Sequence, residues 1–177
     1  MKIQKFQFGP FQVNSYVLWD ENTKDAVVVD AGCLFDNEKQ ELKSFIEQNE
    51  LKLQRLINTH LHIDHIFGNP FMFEQYGLKP EANKDDEFWL VNANQQARMF
   101  GFELEEKQVP LGGYLNEGDQ VKFGNEVLDI FKVPGHSPGS LVFYNKKTGD
   151  LFAGDVLFYE SVGRADLQGG NFKDLKE

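Results

Sequence analysis

The chain has 177 residues, 41% hydrophobic and 26% charged, with 16 glycines and 6 prolines, which is enough for one domain with a real core and excludes collagen-like and disordered classes. Its 18 basic and 28 acidic residues give a formal net charge of −10, which repels a phosphate backbone and argues against nucleic acid as a partner. The single cysteine, Cys33, rules out an internal disulfide framework. The start Met1-Lys2-Ile3-Gln4-Lys5-Phe6 has no secretory apolar region, and no stretch approaches the roughly 18 apolar residues that span a bilayer. The expectation is a cytoplasmic protein without a membrane partner.

In chain order, strands are expected at Ile3–Phe8, Ser15–Trp19 and Ala26–Val29. The last is a short, wholly apolar run of the kind buried on both faces, ending at Asp30-Ala31-Gly32. From Asp36 to Glu50 the period becomes helical, with Leu42, Phe45 and Ile46 on one face and Asp36 or Asn37 as N-cap. A strand over Leu51–Ile57 leads into the polar stretch Asn58–His65. A second helix is expected from about His65 to Tyr76, irregular near Pro70 and closed by Gly77. A third should run from Asp85 to Phe100 with Phe88, Val91, Gln95 and Met99 on one face. Strands Gln120–Phe123 and Val127–Val133 flank a Gly124-Asn125 turn, and Leu141–Tyr144 and Leu151–Ala153 flank a second hairpin turn. After Asp155 the chain is glycine-rich and polar and reads as having no final element. Strands, then helices, then strands make a mixed α/β (α+β) domain over residues 1–177.

Three of the four histidines lie in Thr59-His60-Leu61-His62-Ile63-Asp64-His65, directly after an apolar strand. In extended backbone, positions 60, 62 and 64 project to one side, so one segment can offer two imidazoles to one cation, and a carboxylate with a third imidazole to a neighbouring one. Neutral imidazole with carboxylate suits zinc, iron or manganese better than calcium or magnesium. The fourth histidine, His136, sits in the rigid loop Pro134-Gly135-His136-Ser137-Pro138-Gly139, again after a strand, and Asp155 follows Leu151-Phe152-Ala153-Gly154. Taken singly, His136 reads as a surface loop residue, Asp155 as a turn residue and Cys33 as a small buried hydrophobe. The concentration of all four histidines and two aspartates at strand ends is what points to a metal site.

The pattern His60-x-His62-x-Asp64-His65, then Pro134-Gly135-His136-Ser137-x-Gly139, then Gly154-Asp155, resembles the metallo-β-lactamase superfamily. The tail Ser161-Val162-Gly163-Arg164-Ala165-Asp166, followed by Gly169-Gly170, is similar to the small single-domain glyoxalase II-like hydrolases of the hydroxyacylglutathione hydrolase type. The resemblance implies a four-layer αββα sandwich with two divalent metals, zinc first and iron or manganese as alternatives. By position, His60, His62 and His136 would hold the first metal, Asp64 and His65 the second, and Asp155 would bridge both. Asp64 would also be catalytic, Asp30 would support the ligands from behind, and Arg164 would contact substrate. The family's second metal takes a further histidine near the C-terminus. No histidine follows His136 here, so the reading is a C-terminally truncated chain that lacks the last elements of the sandwich and leaves apolar surface uncovered.

The implied activity is hydrolysis of a small acyl thioester, of acylglutathione type, by metal-bound hydroxide. Two alternatives stand beside it. Persulfide dioxygenases resemble the chain in the same motifs, including Gly163-Arg164-Ala165-Asp166, and use one iron. The other alternative is a metal-stabilised domain or inactive fragment without catalysis.

Overall fold

Alternating side chains close the first two segments into a hairpin: β1 (Lys2–Phe8) pairs antiparallel with β2 (Val13–Trp19), with Phe8 opposite Val13. The computed structural model describes residues 1–176. β3 (Asp25–Val29) pairs antiparallel with β2, then β4 (Lys52–Ile57), β5 (Pro80–Ala82) and β6 (Gly113–Tyr114) follow in parallel, in the order β1-β2-β3-β4-β5-β6. The second sheet is antiparallel, in the order β10-β9-β8-β7, from β7 (Gln120–Phe123), β8 (Glu126–Lys132), β9 (Leu141–Asn145) and β10 (Asp150–Phe152).

The apolar run in β3 is buried on both faces, as its composition requires. Val28 faces an outer core built with Leu42 and Ile46 of α1 (Asp36–Gln48) and Met72 of α3 (Asn69–Tyr76). Val27 and Val29 face the other way and meet Leu128, Ile130, Leu141 and Phe143 between the two sheets. Each such side chain contributes about 1.5–3 kcal/mol when fully buried. The layers are therefore helices, first sheet and second sheet. The outer face of the second sheet carries no helix among the described residues, and Val127, Phe131 and Leu151 are exposed there. No helix of the described residues is long and apolar enough to cross a membrane.

Several local expectations are corrected. The N-cap of α1 is Phe35, not Asp36 or Asn37; Glu38 reaches back to accept from the backbone N–H of Leu34 and Phe35 at 2.9 and 3.0 Å, doing the work of a cap side chain. The second helix is two: α2 (Ile63–Ile66), then α3. They part at Gly68, where a Cβ would collide with Cys33 Sγ. Pro70, in the first turn of α3, breaks nothing because that turn needs no N–H. The third helix is a 3-10 turn (Lys84–Asp86) followed by α4 (Glu87–Val91) and α5 (Ala93–Met99). Its inward face was misphased. Val91, Gln95 and Met99 are exposed, while Asp86, Trp89, Leu90, Ala93, Gln96 and Ala97 are buried. The tail is not bare: β11 (Leu157–Phe158) and β12 (Ser161–Val162) form a hairpin and α6 (Phe172–Lys176) follows. α6 lies against the loop before His136, with Asn171 N–H on the Gly135 carbonyl at 2.8 Å.

Candidate metal centre

The segments that end near the gap between the sheets deliver polar side chains to it. The chain leaves β3 at Asp30, a buried aspartate at φ 53°, and leaves β4 into Asn58-Thr59-His60. It stays extended through His62, at φ −65° and ψ 149°, and then winds into α2. His60 and His62 therefore share a side, as alternation requires, whereas Asp64 and His65 are delivered by a helical turn. His136 comes from the loop between β8 and β9, which is tied to the histidine segment by Leu141 N–H on the Thr59 carbonyl at 2.7 Å. Asp155 arrives after β10 through Gly154 (φ 50°), where any Cβ would collide with Thr59.

Two ligand groups result. His60, His62 and His136 offer nitrogens within 4.8 Å of one another, and so do His60, His65 and Asp155 through one donor atom each. His60 belongs to both. Asp155 spans them, with one carboxylate oxygen 3.3 Å from His65 Nε2 and the other 3.7 Å from His136 Nε2. Asp64 stands beside the second group, 3.8 Å from His65 Nε2. Asp30 lies behind them. It accepts from Thr59 N–H (2.7 Å), Thr59 Oγ1 (2.6 Å) and His65 Nδ1 (3.0 Å).

The hydrogen bonds fix which ring nitrogens are bare. The Thr59 hydroxyl donates to Asp30, so it can only accept from His60 Nδ1–H, at 3.1 Å. His136 Nδ1–H donates to the Arg164 carbonyl at 2.7 Å, and His65 Nδ1–H to Asp30. A neutral imidazole has one N–H, so Nε2 of His60 and of His136 is a lone pair in the neutral ring, while His65 Nε2 points at Asp155. His62 Nδ1 lies 2.8 Å from His136 Nε2 and no other hydrogen bond fixes the His62 tautomer, but His60 Nε2 and His136 Nε2 lie 3.1 Å apart with both lone pairs turned to each other. Facing lone pairs repel unless a cation sits between them. A tetrahedral zinc with bonds of about 2 Å sets ligand nitrogens about 3.3 Å apart, close to what is seen.

Burial and then the neighbouring imidazoles lower His60 well below the ordinary histidine range and His62 to about 3, so these two rings resist protonation. At His65 burial opposes charge, but Asp64, Asp30 and Asp155 outweigh it and raise the pKa well above 6.5. Burial raises Asp64, while His65 overcomes burial to lower Asp155. The second group thus gathers three carboxylates around one imidazole, an environment that favours positive charge. The donor set fits divalent transition metal ions.

A cavity of about 640 Å³ opens beside both groups. Asp64, His65, His136 and Asp155 line it, as do apolar walls that include Phe11, Phe100 and Phe158. Arg164 also lines it, but its guanidinium is forked onto Asp166 with two contacts of 2.7 Å. Its backbone carbonyl, holding His136, is what reaches the ligands. Two further buried residues, with no motif of their own, reach the site: Asp86, in an acidic helix start, and Gln96, off the expected inward face, hydrogen-bond the segment that carries His60 and His62.

The chain matches the model of the metallo-beta-lactamase superfamily over residues 8–177. It belongs to that superfamily, one of metallo-hydrolases that bind divalent metals. It is 30% identical over 176 residues to hydroxyacylglutathione hydrolase GloC of Haemophilus influenzae, covering 99% of this chain and 81% of that protein. Among solved structures it is similar to the BLEG-1 B3 metallo-beta-lactamase, with TM-score 0.85, 30% identity, and coverage of 98% of this chain and 81% of that one. It is also similar to TTHA1623 in a di-iron-bound form, with TM-score 0.84, 29% identity, and coverage of 98% and 82%. The mixed α/β sandwich expected from the sequence is thereby shown.

Proposed function

We propose that the protein is a metal-dependent thioester hydrolase that cleaves a small acyl thioester of the acylglutathione type to carboxylate and thiol. The observation that carries this reading is that two ligand groups share His60, are bridged by Asp155, and open on one substrate-sized cavity. His60, His62 and His136 would hold one divalent ion, and His65, Asp64 and Asp155 a second, zinc first with iron or manganese as alternatives. Such ions supply Lewis acidity and bring the pKa of a water ligand near 7. The similarity to hydroxyacylglutathione hydrolase GloC supports the choice of a thioester.

The chain's own residues then do four things. Asp30, Thr59 and the Arg164 carbonyl engage Nδ1 of His60, His65 and His136, so that Nε2 of these three rings faces inward at no further cost in reorganisation. Asp64, lining the cavity, is the carboxylate beside an incoming water and accepts its proton. The apolar walls at Phe11, Phe100 and Phe158 cover the acyl and thiol arms and exclude bulk water. Arg164 at the rim contacts an anionic tail of the substrate by exchanging Asp166 for it. Net, water oxygen joins the acyl carbon, the C–S bond breaks, one water proton passes from Asp64 to sulfur, and the other is lost to solvent as the carboxylic acid ionises. A thiol leaves readily because its pKa is about 8.5.

The test is elemental analysis of protein purified without added metal, beside S-lactoylglutathione hydrolysis, for the wild type and His62→Ala. The expected result is bound transition metal and thiol release in the wild type and loss of both in the variant. One bound iron with oxygen uptake on glutathione persulfide, and no thioester turnover, would establish the dioxygenase alternative. Bound metal with no turnover on any ester or thioester would leave a metal-stabilised domain.

A further inference from the structure

We infer that Asp86 is the positioning residue that joins the two ligand loops of the three-histidine group, an inference that rests on the metal-centre reading above. Its side chain is fully buried. One carboxylate oxygen accepts from Leu61 N–H at 3.1 Å and from the Ser137 hydroxyl at 2.7 Å, and the other accepts from Gly139 N–H at 2.6 Å. Leu61 lies between His60 and His62. Ser137 and Gly139 follow His136. One carboxylate therefore links backbone on both sides of the first metal group, across sequence separations of 25 and 53 residues.

The chemistry of the joint is specific. All three partners are donors, so both oxygens must accept, and an amide at this position would aim an N–H at another N–H. Gly139 is needed for the close approach, since a Cβ there would lie 2.7 Å from Asp86 Cγ. No lysine or arginine pairs with Asp86 among the described residues, so its charge remains to complement a cation held by neutral imidazoles. The same helical segment braces the loop twice more. Gln96 Oε1 accepts from Ile63 N–H at 2.6 Å, and the Trp89 ring packs edge-on to His62 at 4.9 Å between centroids. The 3-10 turn with α4 and α5 is thus a mount for the first group, and Asp86 is the part of it that touches both loops.

The experiment compares Asp86→Asn, Ser137→Ala and a control, Leu90→Ala, which removes buried apolar volume from α4 without touching either loop's hydrogen bonds. Three quantities are read: zinc affinity by chelator competition, the visible spectrum of the cobalt(II)-loaded protein, and melting of the metal-free protein. Asp86→Asn is expected to weaken zinc binding at the first group by about 10–100-fold and to shift the cobalt bands. Ser137→Ala should do both to a lesser degree. Leu90→Ala should lower the melting temperature yet keep the wild-type affinity and spectrum. Wild-type affinity and spectrum in Asp86→Asn would overturn the inference, as would an equal loss in Leu90→Ala. If Asp86→Asn fails to fold, Ser137→Ala decides by the same two readouts. A wild-type protein that binds neither zinc nor cobalt would overturn the metal-centre reading itself, a result distinct from intact binding that ignores Asp86.

Discussion

Thr59 donates its hydroxyl to Asp30 at 2.6 Å and takes the Nδ1–H of His60 at 3.1 Å, so one oxygen transmits the orientation of a buried carboxylate to a ligand ring. Thr59→Val keeps the shape and removes that oxygen. It strands the His60 N–H, a buried donor whose lost partner costs about 1–3 kcal/mol, and leaves Asp30 Oδ2 with His65 Nδ1 alone. The expected outcome is a zinc affinity about tenfold weaker, read by chelator competition.

Asp155 turns one carboxylate oxygen to His65 and the other to His136, one residue of each ligand group. Asp155→Asn should therefore lower the occupancy of the second group and the hydrolysis rate together, while the three-histidine group keeps its ion. Elemental analysis of the variant should show close to half of the wild-type metal content; full content with unchanged turnover would reject the bridge.

The exposed apolar face of the second sheet makes a different prediction. Val127 and Phe131 alternate outward on β8, and Phe131 packs against Tyr144. Contiguous apolar surface promotes association. Phe131→Lys should reduce concentration-dependent light scattering without lowering the melting temperature, since it removes no core contact.

Acid sensitivity should trace to Asp20. This carboxylate links the β2–β3 turn to the β7–β8 turn, accepting from the Asn125 backbone (2.6 Å), the Asn125 side chain (2.7 Å) and the Asn22 backbone (2.9 Å). Those bonds, the Asn125 backbone first, lower its pKa from 3.8 to about 2. The folded value lies below the unfolded one, so its stabilisation is complete above about pH 4 and disappears as pH falls through about 2. Melting of wild type and Asp20→Asn should differ at neutral pH and converge in acid. A gap that persists at pH 2 would refute the assignment.

At the rim, Arg164→Ala should raise KM for an anionic thioester by no more than about fivefold, since an exposed ion pair contributes at most about 1 kcal/mol. Asp166→Asn should lower KM by freeing the guanidinium, with kcat unchanged in both.

Much of the site was legible from residue order. Histidine at positions 60 and 62 in extended chain predicts a shared side, and Val27–Val29 predicts a strand buried on two faces, because period-two geometry is a local property of the backbone. The helices beyond Asn83 were not legible in the same way. Their inward face is chosen by what they pack against, and Asn92 interrupts the phase, so Asp86 and Gln96 looked like solvated helix residues. β5 and β6, of three and two residues, are too short to carry any period and form because β4 offers an edge to β5 and β5 in turn to β6.

By itself, then, the amino-acid order determined the donor types, their spacing and the strands that carry them, since these depend on neighbours a few positions apart. Only the tertiary structure decided that His136 faces His60 across 76 residues, which ring nitrogens are bare, and that Arg164 acts on the ligands through its carbonyl. Those outcomes depend on hydrogen-bond partners brought together by burial of two sheets against each other, and no local pattern encodes that.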